Sequence, residues 1–257
     1  MYEDAWARVM AEQERLAAGD PVRTARLDRL LTMRKTIEDE MQRLDIRTAR
    51  WFDSGKGHDP YLSGFAMTAG PSEPVNRRAA IRLADDLFHD LLEATRYVRA
   101  DTKRVIAEAA KIAAESTVVE NTAQGAARDI MAKMLRERGI AAVRYANGAR
   151  HGLAEYSEMV IRTKTALAFN RGTLDGAPDV QWWELFDGPD CGLSSHDDTT
   201  LANGLIVERG TVQSYPISHP RCRRAAGPRP DITSERAAKK AQAPREDREA
   251  DAVHAVG

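Results

Sequence analysis

The sequence predicts a mainly α protein with a small α+β module toward its C-terminus: long N-terminal helices, then short hairpins and a knot pinned by cysteine and histidine. Three observations carry this prediction. Charged residues make up 30% of the 257 residues against 6% aromatic, and the mean hydropathy is -0.51, so apolar side chains must gather in stripes on otherwise solvated elements. Over much of the first half, apolar residues recur at the three- and four-residue steps of a helix face. Beyond residue 140 the periodic runs shorten, and the only two cysteines, Cys191 and Cys222, stand near His196 and His219.

The elements follow in order. Gly19-Asp20-Pro21 breaks the N-terminal stretch into two helices, because glycine ends a helix cheaply and proline begins the next. In the second helix Leu27, Leu30, Ile37, Met41 and Leu44 share one face, interrupted by Arg34. Between Trp51 and Pro74 the glycines and prolines (Gly55, Gly57, Pro60, Gly64, Gly70, Pro71) predict a loop over about 51-75. From Asn76, a heptad-like run of Ala84, Phe88, Leu91, Thr95, Val98, Thr102, Val105, Ala109 and Ile112 predicts one long helix. Its seam of small and β-branched residues suits an antiparallel bundle better than a dedicated coiled-coil dimer, although self-association through the helices stays open. A shorter helix is expected from Ala123 to Arg138, ending at Gly139.

Val143 to Ala146 and Ala149 to Leu153 flank Asn147-Gly148, the signature of a hairpin with a type I′ turn. A helix from about Ala154 to Asn170 should close at Gly172, followed by strands at Val180 to Phe186 and Leu205 to Val207, the latter entered through Asn203-Gly204. Trp182 and Trp183 alternate on the first of these strands, one able to pack under the knot and the other facing outward. The expected division is a helical docking region at 1-139, a module at 140-228 and a charged, flexible tail at 229-257.

Thirty-eight Lys and Arg nearly cancel thirty-nine Asp and Glu, so no global field draws the whole chain to nucleic acid or anionic lipid. Glu3, Asp4, Arg8, Glu12 and Arg15 interrupt any signal-peptide core, and no run of about 20 apolar residues is available to span a bilayer. The expectation is a protein made in the cytoplasm with no membrane partner. The local basic run of Arg221, Arg223, Arg224, Arg229, Arg236, Lys239 and Lys240 reads either as a contact for phosphate backbone or scaffold, or as a solvated tail.

The residues that carry chemistry are Cys191, His196, His219 and Cys222. Thiolate and imidazole are the ligands zinc prefers, and four of them would close a tetrahedral shell around one structural ion. A disulfide, or simply satisfied core residues, are the alternatives. Asp187 or Asp190, in the turn Asp187-Gly188-Pro189-Asp190, is placed to accept a hydrogen bond from a ligand histidine, against the plainer reading of an Asx turn. Ser194, Ser195, His196, Asp197 and Asp198 include the residue types of a hydrolase triad, but sequence neighbours do not converge on one reacting atom. The His-x-Glu and Cys-x-x-Cys elements of zinc deaminases are missing. No catalytic constellation emerges.

With these residues in hand, the C-terminal half resembles the phage minor capsid, or head-morphogenesis, proteins related to the F protein of phage Mu. The resemblance rests on Tyr145-Ala-Asn-Gly148, on Tyr156-Ser-Glu-Met159-Val-Ile-Arg162-Thr163-Lys164, on Asn170-Arg-Gly172, on the Asp187 to Cys191 turn and on His219-Pro-Arg-Cys222-Arg. It covers roughly residues 140 to 228. Many relatives have Cys-x-x-Cys where this chain has Cys191-Gly-Leu-Ser194, so His196 would have to substitute for the second cysteine. The resemblance implies a low-copy structural component of a tailed-phage virion, inside the procapsid near the portal, acting in head assembly or in handling packaged DNA. Its implied partners are the portal and the major capsid or scaffold protein. A metal-dependent hydrolase or nuclease acting during packaging, and a sequence-independent DNA-binding protein, are the competing readings.

Overall fold

A computed structural model describes residues 1–17, 27–118, 142–144, 150–188 and 190–254. The protein is mostly helical, with a small antiparallel sheet of three strands in its C-terminal part. Helices α1 (Tyr2–Ala17), α2 (Leu27–Asp53), α3 (Asp59–Thr68) and α4 (Arg77–Val118) are followed by a strand pair, β1 (Ala142–Arg144) and β2 (Arg150–Gly152), and by α5 (Leu153–Gly176). Then come β3 (Trp182–Phe186), β4 (Ile206–Glu208), α6 (Arg209–Ser214), β5 (Ala225–Pro228), α7 (Glu235–Ala241) and α8 (Arg245–His254). The breaks expected at Gly19-Asp20-Pro21 and at Asn147-Gly148, and the helix expected at Ala123 to Arg138, fall outside the described residues. Among the described residues, no helix is long and apolar enough to cross a membrane.

Two compact units are interleaved along the chain: Met1–Arg50 with His89–Glu158, and Trp51–Phe88 with Met159–Gly257. A cut near residue 139 therefore does not describe the division, because the segment from Trp51 to Phe88 belongs with the C-terminal part. In the first unit the predicted seams are buried: Ile37, Met41 and Leu44 on α2, and Leu91, Thr95, Val98, Thr102 and Val105 on α4. Polar groups on these faces are satisfied locally. The Thr102 hydroxyl donates to Val98 O at 2.7 Å, the Thr95 hydroxyl donates to Asp45 at 2.7 Å, and Arg99 pairs with the same carboxylate. Tyr2 and Thr48 share a buried hydrogen bond of 2.9 Å. Desolvation raises the Tyr2 hydroxyl well above its ordinary range, to about 12.

The second unit corrects the loop expected over about 51-75. Helix α2 continues to Asp53, a 3-10 turn follows at Lys56–His58 after Gly55 at φ 83°, and α3 starts with Pro60 in its first turn. The glycines that looked like breakers permit close helix packing instead. A Cβ on Gly64 would stand 2.0 Å from Phe169 O, and one on Gly172 would stand 2.0 Å from Tyr61 O. Gly172 thus lies inside α5, which runs on to Gly176 rather than closing there. Across this seam Tyr61 donates to Asp175 at 2.9 Å, and the Thr68 hydroxyl donates to Thr173 O at 2.7 Å.

The sheet order is β4-β3-β5, antiparallel throughout. Alternation along β3 sends Trp183, fully buried, into a core with Leu174, Leu185, Ala202, Val212 and Ala226. Trp182 points to the other face, where Ile232 and Ala238 cover it. It is therefore not outward-facing in the sense expected, because residues 229-254 supply the cover. This corrects the tail as well: Ser234 caps α7 by accepting from Ala237 N, and the Gln242 side chain accepts from Ile206 N at 2.8 Å and donates to Gly204 O at 2.8 Å. The amide of Asn203 donates to Arg248 O at 2.9 Å. A segment read as featureless charge makes its specific contacts through Ile232, Ala238 and Gln242, too few residues to give a periodic signal.

Candidate metal centre

The site is built where β3 ends and β5 begins. The register Phe186↔Ala225 makes Asp187 and Arg224 the next pair facing each other across the two strands. Both side chains are fully buried and joined at 2.8 Å. Arg224 spends every N–H it has: Nε and Nη2 on Asp187, Nη2 also on Gly192 O at 2.7 Å, and Nη1 on Leu193 O at 2.8 Å and Tyr215 O at 2.9 Å. One guanidinium thus ties together the chain segments that carry the sulfur and imidazole groups. Its place in a basic run suggested a surface contact, but its burial excludes that role in this fold.

Around this pair, one ligand atom each from Cys191, His219 and Cys222 come within 4.8 Å of one another. The three lie close together and can hold a metal ion. Both cysteines are free and buried. Cys191 Sγ stands 3.3 Å from His219 Nε2. The other ring nitrogen, Nδ1, is 2.8 Å from Pro220 O, and since a carbonyl only accepts, Nδ1 carries the proton and Nε2 offers its lone pair. This backbone orienter is what metal-ligating histidines commonly have. The tight turn that brings His219 and Cys222 together closes through Cys222 N to His219 O at 3.1 Å and puts Arg221 at φ 67°. Its backbone N–H donates to Thr163 Oγ1 at 3.1 Å. Fully buried Asn170 donates to Pro216 O at 2.9 Å and to Arg224 O at 2.8 Å, fixing the same loop onto α5.

Asp187 serves the cysteine rather than a histidine: its Oδ1 accepts from Cys222 Sγ at 3.5 Å and from Gly188 N at 2.9 Å. Asp190 is exposed and left-handed at φ 65°, a turn position. His196 is exposed and lies outside the close trio, its ring edge-on to that of His219 with centroids 5.1 Å apart. Burial pushes the Cys191 thiol up to about 12, the Asp187 charge adding to the effect. Without a cation the thiol stays protonated at neutral pH, so metal binding must release a proton. The Ser194 to Thr200 stretch is a hydrogen-bonded turn in which Asp198 accepts from Ser194 Oγ at 2.8 Å and Thr200 N at 2.8 Å. These donors hold its carboxyl down at about 2.

The rest of the basic run is also broken up. Arg229 pairs with Glu184 and Asp231 at 2.8 Å each, and Lys239 pairs with Glu235 at 2.7 Å. Arg221, Arg223, Arg236 and Lys240 are exposed.

No match was found between the chain and protein-family models, curated proteins or solved structures.

Sequence reasoning singled out the trio but assigned no role to Asn170, Thr163 or Arg209. Arg209 donates to Leu174 O and Ala177 O at 2.9 Å each and lies 5.9 Å over the Trp183 ring, clamping the end of α5 against the sheet. Their sequence neighbours are themselves polar or charged in large part, so these three stand out only once their partners are placed.

Proposed function

We propose that the C-terminal part of this protein binds one zinc ion through Cys191, His219 and Cys222 as an internal cross-link, and that the chain is a structural, not a catalytic, protein. The observation that carries the reading is the burial of two cysteines beside an imidazole whose Nε2 is oriented toward them. His196 supplies the fourth ligand, its ring already beside His219. Closing the shell with protein ligands leaves no position for a reactive water. The resemblance to Mu F-like proteins supports the biological side of the proposal: a minor capsid protein of a tailed phage, in the virion interior, contacting portal and capsid or scaffold protein during head assembly.

A second reading has one observation in its favour. Three ligands with a fourth position left to water is the pattern of catalytic zinc, which would make the protein a metal-dependent hydrolase or nuclease. Against it, the Asp187 oxygens are taken by Arg224, Cys222 and Gly188, and those of Asp198 by Ser194 and Thr200.

Elemental analysis of the purified chain tests the metal proposal: about one zinc per chain is expected, lost in Cys191→Ser/Cys222→Ser. X-ray absorption separates the two readings, since four protein ligands, one contributed by His196 and lost in His196→Ala, indicate structure, whereas an oxygen from water in the shell indicates catalysis. Metal-free wild type, with melting unchanged by chelator, would sink both. Stoichiometric co-purification with a tailed-phage portal protein tests the assembly role.

A further inference from the structure

The first unit holds a groove that the basic-run argument did not foresee. Arg8 on α1 and Glu40, Arg43, Ile46, Arg47 and Arg50 on α2 line a depression of about 440 Å³. Positions 43, 47 and 50 are spaced by four and three residues, so they rise along one helix face. Among the described residues lining it, four guanidiniums face one carboxylate: Glu40, 7% exposed in its side chain, meets Arg8 at 3.0 Å and Arg43 at 3.1 Å, its Oε2 making no hydrogen bond. Among the described residues, Arg47 and Arg50 have no acidic partner. Nε and Nη2 of Arg47 are shielded from solvent and have no hydrogen-bond partner. A charged donor left in that condition is costlier than a neutral one. The nearby acid Asp45 offers no relief, being bound to Thr95 and Arg99.

We propose that this groove is a binding site for a phosphate group. Phosphate brings up to two negative charges and several acceptor oxygens to a place where, among the described residues, two arginines lack an acidic partner, and guanidinium forks match its geometry bidentately. A lone carboxylate supplies one charge and fewer acceptors. The source is either a nucleic-acid backbone or a soluble phosphate compound, and the chemistry at the protein is the same.

The test is calorimetric titration of the full chain with inorganic pyrophosphate at low salt, with succinate as the carboxylate comparison. Saturable binding is expected, weakened about tenfold or more in Arg47→Gln/Arg50→Gln, a loss of about 1.4 kcal/mol. Lys35→Gln, an exposed change on the same helix outside the groove, should leave it unchanged. Should the double variant unfold, exposed Arg50→Gln alone must still weaken binding. Displacement of pyrophosphate by a duplex oligonucleotide identifies the backbone as the source, and binding without displacement identifies a soluble compound. No saturable binding, equal affinity in the arginine variants, or succinate binding as tightly as pyrophosphate would each overturn the proposal.

Discussion

Replacing Arg224 by methionine removes the centre of the C-terminal hub while keeping most of its volume. The Asp187 carboxylate then stays fully buried with its main counter-charge gone, and the carbonyls of Gly192, Leu193 and Tyr215 lose their donor. Breaking a buried ion pair from one side typically costs about 3–5 kcal/mol, and each stranded carbonyl adds to that unless water reaches it. A loss of about 4 kcal/mol or more is expected, which at a urea slope of about 2 kcal/mol/M moves the midpoint down by about 2 M. Buried Trp182 and Trp183 make fluorescence a suitable probe, and chelator in the buffer separates the effect from metal binding. The double variant Arg224→Met/Asp187→Leu should regain a substantial part of the loss, because the penalty comes chiefly from the orphaned charge rather than from a missing attraction. If Arg224→Met lies within about 1 kcal/mol of wild type, or if the double variant is no better than the single, the hub is not organised by this pair.

Three further outcomes follow from the same structure. Gly172→Ala should cost about 3 kcal/mol or more by thermal melting, since its Cβ would stand 2.0 Å from a backbone oxygen that cannot move aside, whereas Gly210→Ala, with open space around it, should be neutral or stabilising by up to about 1 kcal/mol. In metal-free protein the folded state keeps the Cys191 proton up to about pH 12 while the unfolded thiol loses it from about 8.5. The folded state thus binds more protons in this window, and stability must fall as pH rises through it, less so in Cys191→Ser. Gln242→Ala should cost about 1–3 kcal/mol by leaving Ile206 N unpaired, and should speed hydrogen exchange at that amide; unchanged exchange would mean that the C-terminal segment does not hold the β4 edge.

The helices and the grouping of Cys191, His219 and Cys222 are legible because their signals are local or chemical, whereas His196, expected with them, lies outside the close trio. Stripes on α2 and α4 repeat often enough to survive an interruption such as Arg34, and cysteine beside histidine is a restricted combination. Residues 51-75 read as a loop in the sequence because Gly64 means opposite things in a loop and at a helix crossing, and only the position of Phe169 O decides between them. Strand β5, Ala225–Pro228, has almost no β-forming residues and is recruited by pairing with β3. Arg224 looked like its neighbours Arg221 and Arg223, and its burial depends on Asp187, 37 positions earlier. The arginine groove draws on α1 and α2 together, so no contiguous basic run announces it.

The facing of Asp187 and Arg224 also bears on how the chain finds its sheet. Beside it stands Arg223, exposed, with the opposite orientation. Sliding β5 by one residue against β3 would put Arg223 in the interior and turn Arg224 outward, away from the three carbonyls arranged to receive it. A strand as bland as Ala-Ala-Gly-Pro has little packing to tell correct from shifted pairing. Charge performs that discrimination, and the register it favours is the one that also brings the sulfur and imidazole groups together.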